Sequence, residues 1–254
     1  MKAKIRNKLK NKLPSIGSWM QLPDQSVAEI MGNSGYDWIA VDMEHGAFSK
    51  NNLPGIFGAI ASGGAAPFAR VAIADSVCIK EALDTGAKGL IFPMIETGDQ
   101  LETAVSNALY PPLGNRGIGF CRANMFGKNF KGCFENENNP IIVAQIEHKR
   151  AVENIDSILS VKGLDAIMIG PYDLSGSMDM TGDFENPEFV AVLKTIFDKA
   201  VEHGIAMGLH VVAPQKQKLK EKIDEGYQFI AYGIDAVFLY NSSENPEMKK
   251  KVNQ

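Results

Sequence analysis

The sequence predicts one (β/α)8 barrel of the α/β class over residues 1–254. Three observations predict it. Eight short apolar runs alternate with amphipathic, helix-like stretches from one end of the chain to the other. At 254 residues and 45% hydrophobic content, the chain can bury the core that such a barrel needs. Polar residues capable of chemistry stand where the apolar runs end, which is where a barrel of this kind gathers its catalytic groups. A doubly wound open sheet is the alternative, but no GxGxxG follows the first run and no GxxxxGK[ST] occurs anywhere.

In order, the basic start Lys2-Ala3-Lys4-Ile5-Arg6 to Lys12 lacks the apolar stretch of a signal peptide and is expected to be a solvated arm or a turn of helix. The strands are expected at residues 16–20, 38–42, 67–71, 89–94, 141–147, 166–170, 206–211 and 228–232, each a short run rich in aliphatic, aromatic or β-branched side chains. Between them, residues 25–34, 76–85, 98–109, 151–159, 187–202 and 214–225 have apolar residues at helical spacing. Gly35, Gly86, Gly204 and Gly226 follow four of these helices just before the next strand, where a left-handed C-cap is needed. One segment breaks the rhythm: residues 110–140 are too long and too rich in Gly and Asn for an ordinary connection. Arg116, Arg122, Lys128 and Lys131 within it could meet an anionic substrate or simply be solvated.

Lys plus Arg number 26 against 30 for Asp plus Glu, so no basic excess favours nucleic acid. No run approaches the ~20 apolar residues that span a bilayer. Cys78, Cys121 and Cys133 form no CxxC, which predicts reduced thiols and a cytoplasmic location.

The chemistry concentrates at the predicted mouth. Val143-Ala144-Gln145-Ile146-Glu147 and Ala166-Ile167-Met168-Ile169-Gly170-Pro171-Tyr172-Asp173 are apolar strands that end in a carboxylate. As parallel neighbours about 4.8 Å apart, they would let Glu147 and Asp173 share a hard cation through oxygens at roughly 2.1 Å. Capping of the following helix is the competing role for either carboxylate. Gln145 and Glu147, two apart, share the inward face. Arg70 ends the third strand, where its planar fork suits a carboxylate or a developing enolate oxygen; a salt bridge to Asp42 is the other explanation. His45, in Asp42-Met43-Glu44-His45-Gly46, is a candidate for proton transfer. No strand offers a lysine for a Schiff base, since Lys88 precedes its strand and belongs at the opposite end.

The ordered set GSWMQ, GYDWIAVDMEHGAF, PFARV, IKEALDTGAKGLIFPMIET, YPPLGNRGIG, QIE and GPYDLSGSMDM resembles the class II, metal-dependent pyruvate aldolases of the HpcH/HpaI type over nearly the whole chain. The resemblance implies a barrel assembled as a homo-oligomer (a hexamer or trimer of dimers), with the last helix exchanged between subunits. It implies a divalent metal ion (Mg²⁺, Mn²⁺ or Co²⁺) on Glu147 and Asp173, and a 2-oxo acid and an aldehyde as small-molecule partners. By the same resemblance Arg70 contacts the keto oxygen, and His45 with Asp84 forms the base dyad helped by Asp42. The backbone amides of Tyr172 and Asp173 hold a carboxylate, and Gln145, Trp19 and His210 line the substrate pocket. Asp84 lies near a helix C-terminus, remote from the mouth, so its role depends on how loops or subunits meet. Tyr172 and His210 depart from the family pattern and bear on which aldehyde is taken. A lyase acting on a CoA thioester and a non-catalytic pyruvate- and metal-binding barrel are the alternative functions.

Overall fold

The computed structural model describes residues 1–135, 138–243 and 245. Eight parallel strands pair in chain order and close on themselves, β1 to β8: β1 (Ser15–Met20), β2 (Trp38–Asp42), β3 (Ala66–Arg70), β4 (Gly89–Phe92), β5 (Ile141–Ile146), β6 (Ala166–Ile169), β7 (Ala206–Val211) and β8 (Phe229–Ile234). The helices are α1 (Lys2–Lys10), α2 (Gln25–Gly32), α3 (Leu53–Ser62), α4 (Ser76–Thr85), α5 (Gly98–Ala108), α6 (Lys149–Glu153), α7 (Ile155–Leu159), α8 (Pro171–Ser177), α9 (Pro187–His203), α10 (Lys216–Asp224) and α11 (Asp235–Ser243). Among the described residues, 3-10 turns at Arg122–Gly127 and Lys131–Phe134 interrupt the excursion after α5. The fold is the predicted one, with four corrections. Strands β4 and β5 stop short of Met94 and Glu147, the 151–159 helix is two short pieces, and α3, α8 and α11 were not read from the sequence. Of the two readings of the basic start the helix holds, but it is longer than one turn and has a buried edge: Ile5 and Leu9, one turn apart, pack with the inward-facing cluster. Arg6 fixes that helix, with Nε 2.9 Å and Nη2 3.2 Å from the Asp165 carboxylate.

Period-two alternation sorts each strand into an outward face, packed on the helices, and an inward face. The inward cluster includes Trp38, Ala40, Ala66, Phe68, Ile91, Ile141, Val143, Ala166, Met168, Ala206, Phe229 and Ala231. At the end where the strands begin, the rings of Trp38 and Phe229 stack at 4.2 Å and that of Phe68 lies 5.5 Å from Trp38. Gly17 and Gly89 make room for this layer: a Cβ on Gly17 would fall 2.0 Å from the Trp38 ring, and one on Gly89 would fall 2.4 Å from Phe68. Gly17→Ala is therefore expected to lower stability by about 1–3 kcal/mol through overpacking; a thermal melt indistinguishable from wild type would contradict this.

Gly204 caps α9 at φ 68°, ψ 24°, the left-handed conformation predicted for it. Cys78 and Cys121 are free thiols, while the side chain of Cys133 lies outside the described residues. Among the described residues no helix is long and apolar enough to cross a membrane.

Candidate active site

The register of β2 on β3 sets Asp42 beside Arg70. Both are inward-facing strand ends, so Asp42 is fully buried and Arg70 nearly so. Arg70 grips the carboxylate side-on: Nε donates to Oδ1 at 2.9 Å and Nη2 to Oδ2 at 2.6 Å. The backbone N–H groups of Glu44 and His45 donate to Oδ1 at 3.2 Å each, and Gln21 Nε2 donates to Oδ2 at 3.1 Å. Burial acts to raise the Asp42 carboxyl, but the hydrogen bond and charge of Arg70, aided by Gln21 and the His45 amide, hold it below the usual range.

The turn after β2 brings in a third group. Glu44 Oε2 lies 2.9 Å from Arg70 Nη1 and 4.0 Å from Nε2 of the exposed His45 ring. Burial pushes the Glu44 carboxyl upward against the charges of Arg70 and His45, with Asp42 and Asp173 adding repulsion. On the other side of Arg70, its Cζ sits 5.1 Å from the centre of the Trp19 ring, on which His210 stacks at 5.1 Å. His210 Nε2–H donates to the carbonyl of Gly233 at 3.0 Å, and burial drops its pKa to about 4, so the ring is neutral at physiological pH.

Strands β5 and β6 pair as parallel neighbours, with Gln145 opposite Met168 and Ile146 opposite Ile169. Glu147, just past β5, is buried. The Met94 N–H donates to its Oε1 at 2.7 Å, and Gln145 Nε2 donates to its Oε2. Gly170 leaves that carboxylate its space, since a Cβ there would fall 2.5 Å from Oε2. Burial, then the negative charges of Glu44 and Asp173, push the Glu147 carboxyl up to about 7. Asp173 lies exposed in the first turn of α8. The first helical hydrogen bond there runs from Leu174 N to Gly170 O, leaving the Tyr172 and Asp173 amides ahead of it.

The donor set fits a divalent cation. Asp173, in the first turn of α8, is near enough for its charge to act on Glu147, which is buried without a cationic partner, and the Gln145 side-chain oxygen is buried with no hydrogen-bond partner. Among the described residues no cluster of three or more metal-ligating side chains forms, so an ion here would take its remaining positions from substrate and water.

Thus Asp42, Arg70, Trp19 and His210 meet in one group, with His45 at its edge, and Gln145 and Glu147 form a second group to which Glu44 is electrostatically linked. Asp84 stays apart. It lies at the C-terminal end of α4, where Arg116 Nη2 donates to it at 2.7 Å and the Cys121 Sγ stands at 3.6 Å. Tyr172 is exposed, its ring edge-on to Phe184 at 5.0 Å. Gln21 joins the site without having been singled out from the sequence, while Glu44 and Met94, read there only as residues at the strand ends, gain their partners in the structure. The Asp-x-Glu-His run signals Glu44, but a loop position carries no periodicity to say where its side chain points.

A model of the HpcH/HpaI aldolase/citrate lyase family matches residues 15–242. A hydroxypyruvate/pyruvate aldolase of Roseobacter denitrificans is 31% identical over 237 residues, 92% of each chain. A 5-keto-4-deoxy-D-glucarate aldolase of Escherichia coli is 32% identical over 233 residues, 91% of this chain and 90% of its own. The crystal structure of an HpcH/HpaI aldolase/citrate lyase family protein from Burkholderia cenocepacia J2315 superposes with a TM-score of 0.88 at 28% identity, covering 94% of this chain and 96% of that one. The barrel and the extent of the match agree, and the chain belongs to the HpcH/HpaI aldolase/citrate lyase family.

Proposed function

We propose that this chain is a carbon-carbon lyase, a divalent-metal-dependent aldolase that reversibly cleaves a 4-hydroxy-2-oxo acid to pyruvate and an aldehyde. The observation that carries the reading is Arg70, a guanidinium locked in place at the barrel mouth with donors still available to an oxygen. The named relatives at 31% and 32% identity are aldolases, which favours this over a CoA-thioester lyase.

Glu147 and Asp173 would hold the cation, which when bound supplies positive charge beside the carboxylate and 2-oxo oxygens of the substrate. The amides of Tyr172 and Asp173, at the positive end of a helix, suit that carboxylate. His45 takes the proton of the 4-hydroxyl. The C3–C4 bond then breaks, its electron pair forms the C2–C3 double bond of the enolate, and the aldehyde departs. Arg70 donates to the enolate oxygen, an interaction stronger in the transition state than in the ground state, and protonation at C3 gives pyruvate. Asp42 keeps Arg70 and the His45 turn in register. Trp19, Gln145 and the neutral His210 line the pocket, and Asp84 joins the His45 dyad on assembly of subunits. A cytoplasmic hexamer or trimer of dimers completes the reading; the exposed Ile118, Phe120, Met125 and Phe126 of the excursion favour an oligomer.

The test is exchange of pyruvate methyl protons into deuterated water, followed by NMR. Exchange is expected with Mg²⁺, Mn²⁺ or Co²⁺ and not after EDTA treatment. Exchange undiminished by EDTA would overturn the metal-dependent route, and none under any condition would leave a binding barrel.

A further inference from the structure

We propose that Glu44 is a positioning residue that, together with Asp42, clamps the Arg70 guanidinium from two edges and so fixes which of its donors face the substrate. The inference rests on the aldolase reading above.

The geometry is a count of donors. A guanidinium has five N–H groups. Asp42 takes one from Nε and one from Nη2, and Glu44 Oε2 is ion-paired with Nη1 at 2.9 Å. That side-on grip leaves the edge between Nη1 and Nη2, where one N–H from each nitrogen can converge on a single oxygen. Asp42 alone would fix one edge only and leave the planar group free to hinge about it, which the ion pair to Glu44 on the far side opposes. Asp42 is itself held by Gln21 Nε2 and two backbone amides, so the clamp is anchored to β2 and the turn that follows it.

Stability does not account for Glu44. It is a half-buried carboxylate beside the negative charges of Asp42 and Asp173, and burial pushes its carboxyl upward, an unfavourable placement for an anion. A strand-end arginine already satisfied side-on by a fully buried aspartate needs no second carboxylate for charge balance. Its presence fits an orientation requirement, since displacing a group by about 1 Å in an active site can cost ~10²-fold in rate.

Two variants and two readouts test the proposal. Glu44→Gln keeps an oxygen beside Nη1, whereas Glu44→Ala removes it. In the pyruvate exchange assay, Glu44→Ala is expected to lower kcat by about 10- to 100-fold with little change in KM or in Mn²⁺ affinity, and Glu44→Gln is expected to stay close to wild type. The second readout needs no turnover. In arginine-labelled protein, the Arg70 Nη–H signals, assigned by their loss in Arg70→Lys, are expected to be resolved in wild type and Glu44→Gln and averaged in Glu44→Ala. An active wild type with Glu44→Ala equally active, a loss confined to KM or Mn²⁺ affinity, or unchanged Arg70 signals in Glu44→Ala would each overturn the clamp. A wild type without exchange would instead overturn the aldolase reading, while the Arg70 signals would still decide the clamp.

Discussion

Arg70→Ala is expected to slow pyruvate proton exchange by about 10²–10³-fold, the usual cost of removing one donor aimed at a developing oxyanion. It is also expected to leave Asp42, fully buried, without its counter-ion, at a cost of about 3–5 kcal/mol, or roughly 10 °C in Tm for a chain of this size. The two effects separate in Arg70→Lys, which restores a charge but not the side-on fork: stability should return in part and the rate should not. The pH dependence follows from the lowered Asp42 carboxyl. Its contribution is complete above the ordinary value of 3.8 and is lost as the pH falls from there through the lowered value of the folded chain. In Arg70→Ala that acid-side loss should largely disappear. A variant as stable and as active as wild type would remove Arg70 from the mechanism.

Glu147 has the opposite sign. In the metal-free chain its carboxyl titrates near 7 rather than 4.5, so the fold favours the protonated form. The stabilisation is fully present below pH 4.5 and is lost as the pH rises through about 7, a change of about 3 kcal/mol for one buried group. A divalent ion binds the ionised form and should reverse the trend, adding little to Tm at pH 5 and most at pH 8. Glu147→Gln should abolish both the metal-dependent rise in Tm and proton exchange, yet melt above metal-free wild type at pH 8. The amide can still accept from the Met94 N–H, and Gln145 can turn its unpaired oxygen toward it. Retention of the metal-dependent rise in Glu147→Gln would show that the ion sits elsewhere.

Much of this was legible in the sequence, because strands impose a period of two. Gln145 and Glu147 had to share a face, and Asp42 and Arg70, closing consecutive strands, had to become neighbours if the strands paired in register. The salt bridge considered as a rival explanation for Arg70 is present, and it holds in place the group on which the proposed chemistry rests. Outside the strands, a residue's place at the mouth was legible and the aim of its side chain was not. Glu44 sits in a turn whose hydrogen bonds to Asp42 aim it, and no periodicity encodes that. The excursion after α5 is built from 3-10 turns with Met125 and Phe126 at φ 54°, a backbone choice that neither residue type announces. The Ile5 and Leu9 pair was readable as one apolar edge on a basic helix, but only the open end of a barrel explains what that edge covers. Asp84 faces Arg116 rather than His45 within one chain, so sequence alone gave it a role without a place.

The aromatic floor of Trp38, Phe68 and Phe229, with α1 beneath it, closes the tube at one end. Traffic therefore has a single doorway. A compound seated deepest, against Gln145 and Glu147, arrives before anything lodged above it and departs after it. Turnover should consequently obey compulsory-order kinetics, with the outer product escaping first and rebinding only while the inner one is in place, so that it inhibits noncompetitively and the inner one competitively toward the substrate.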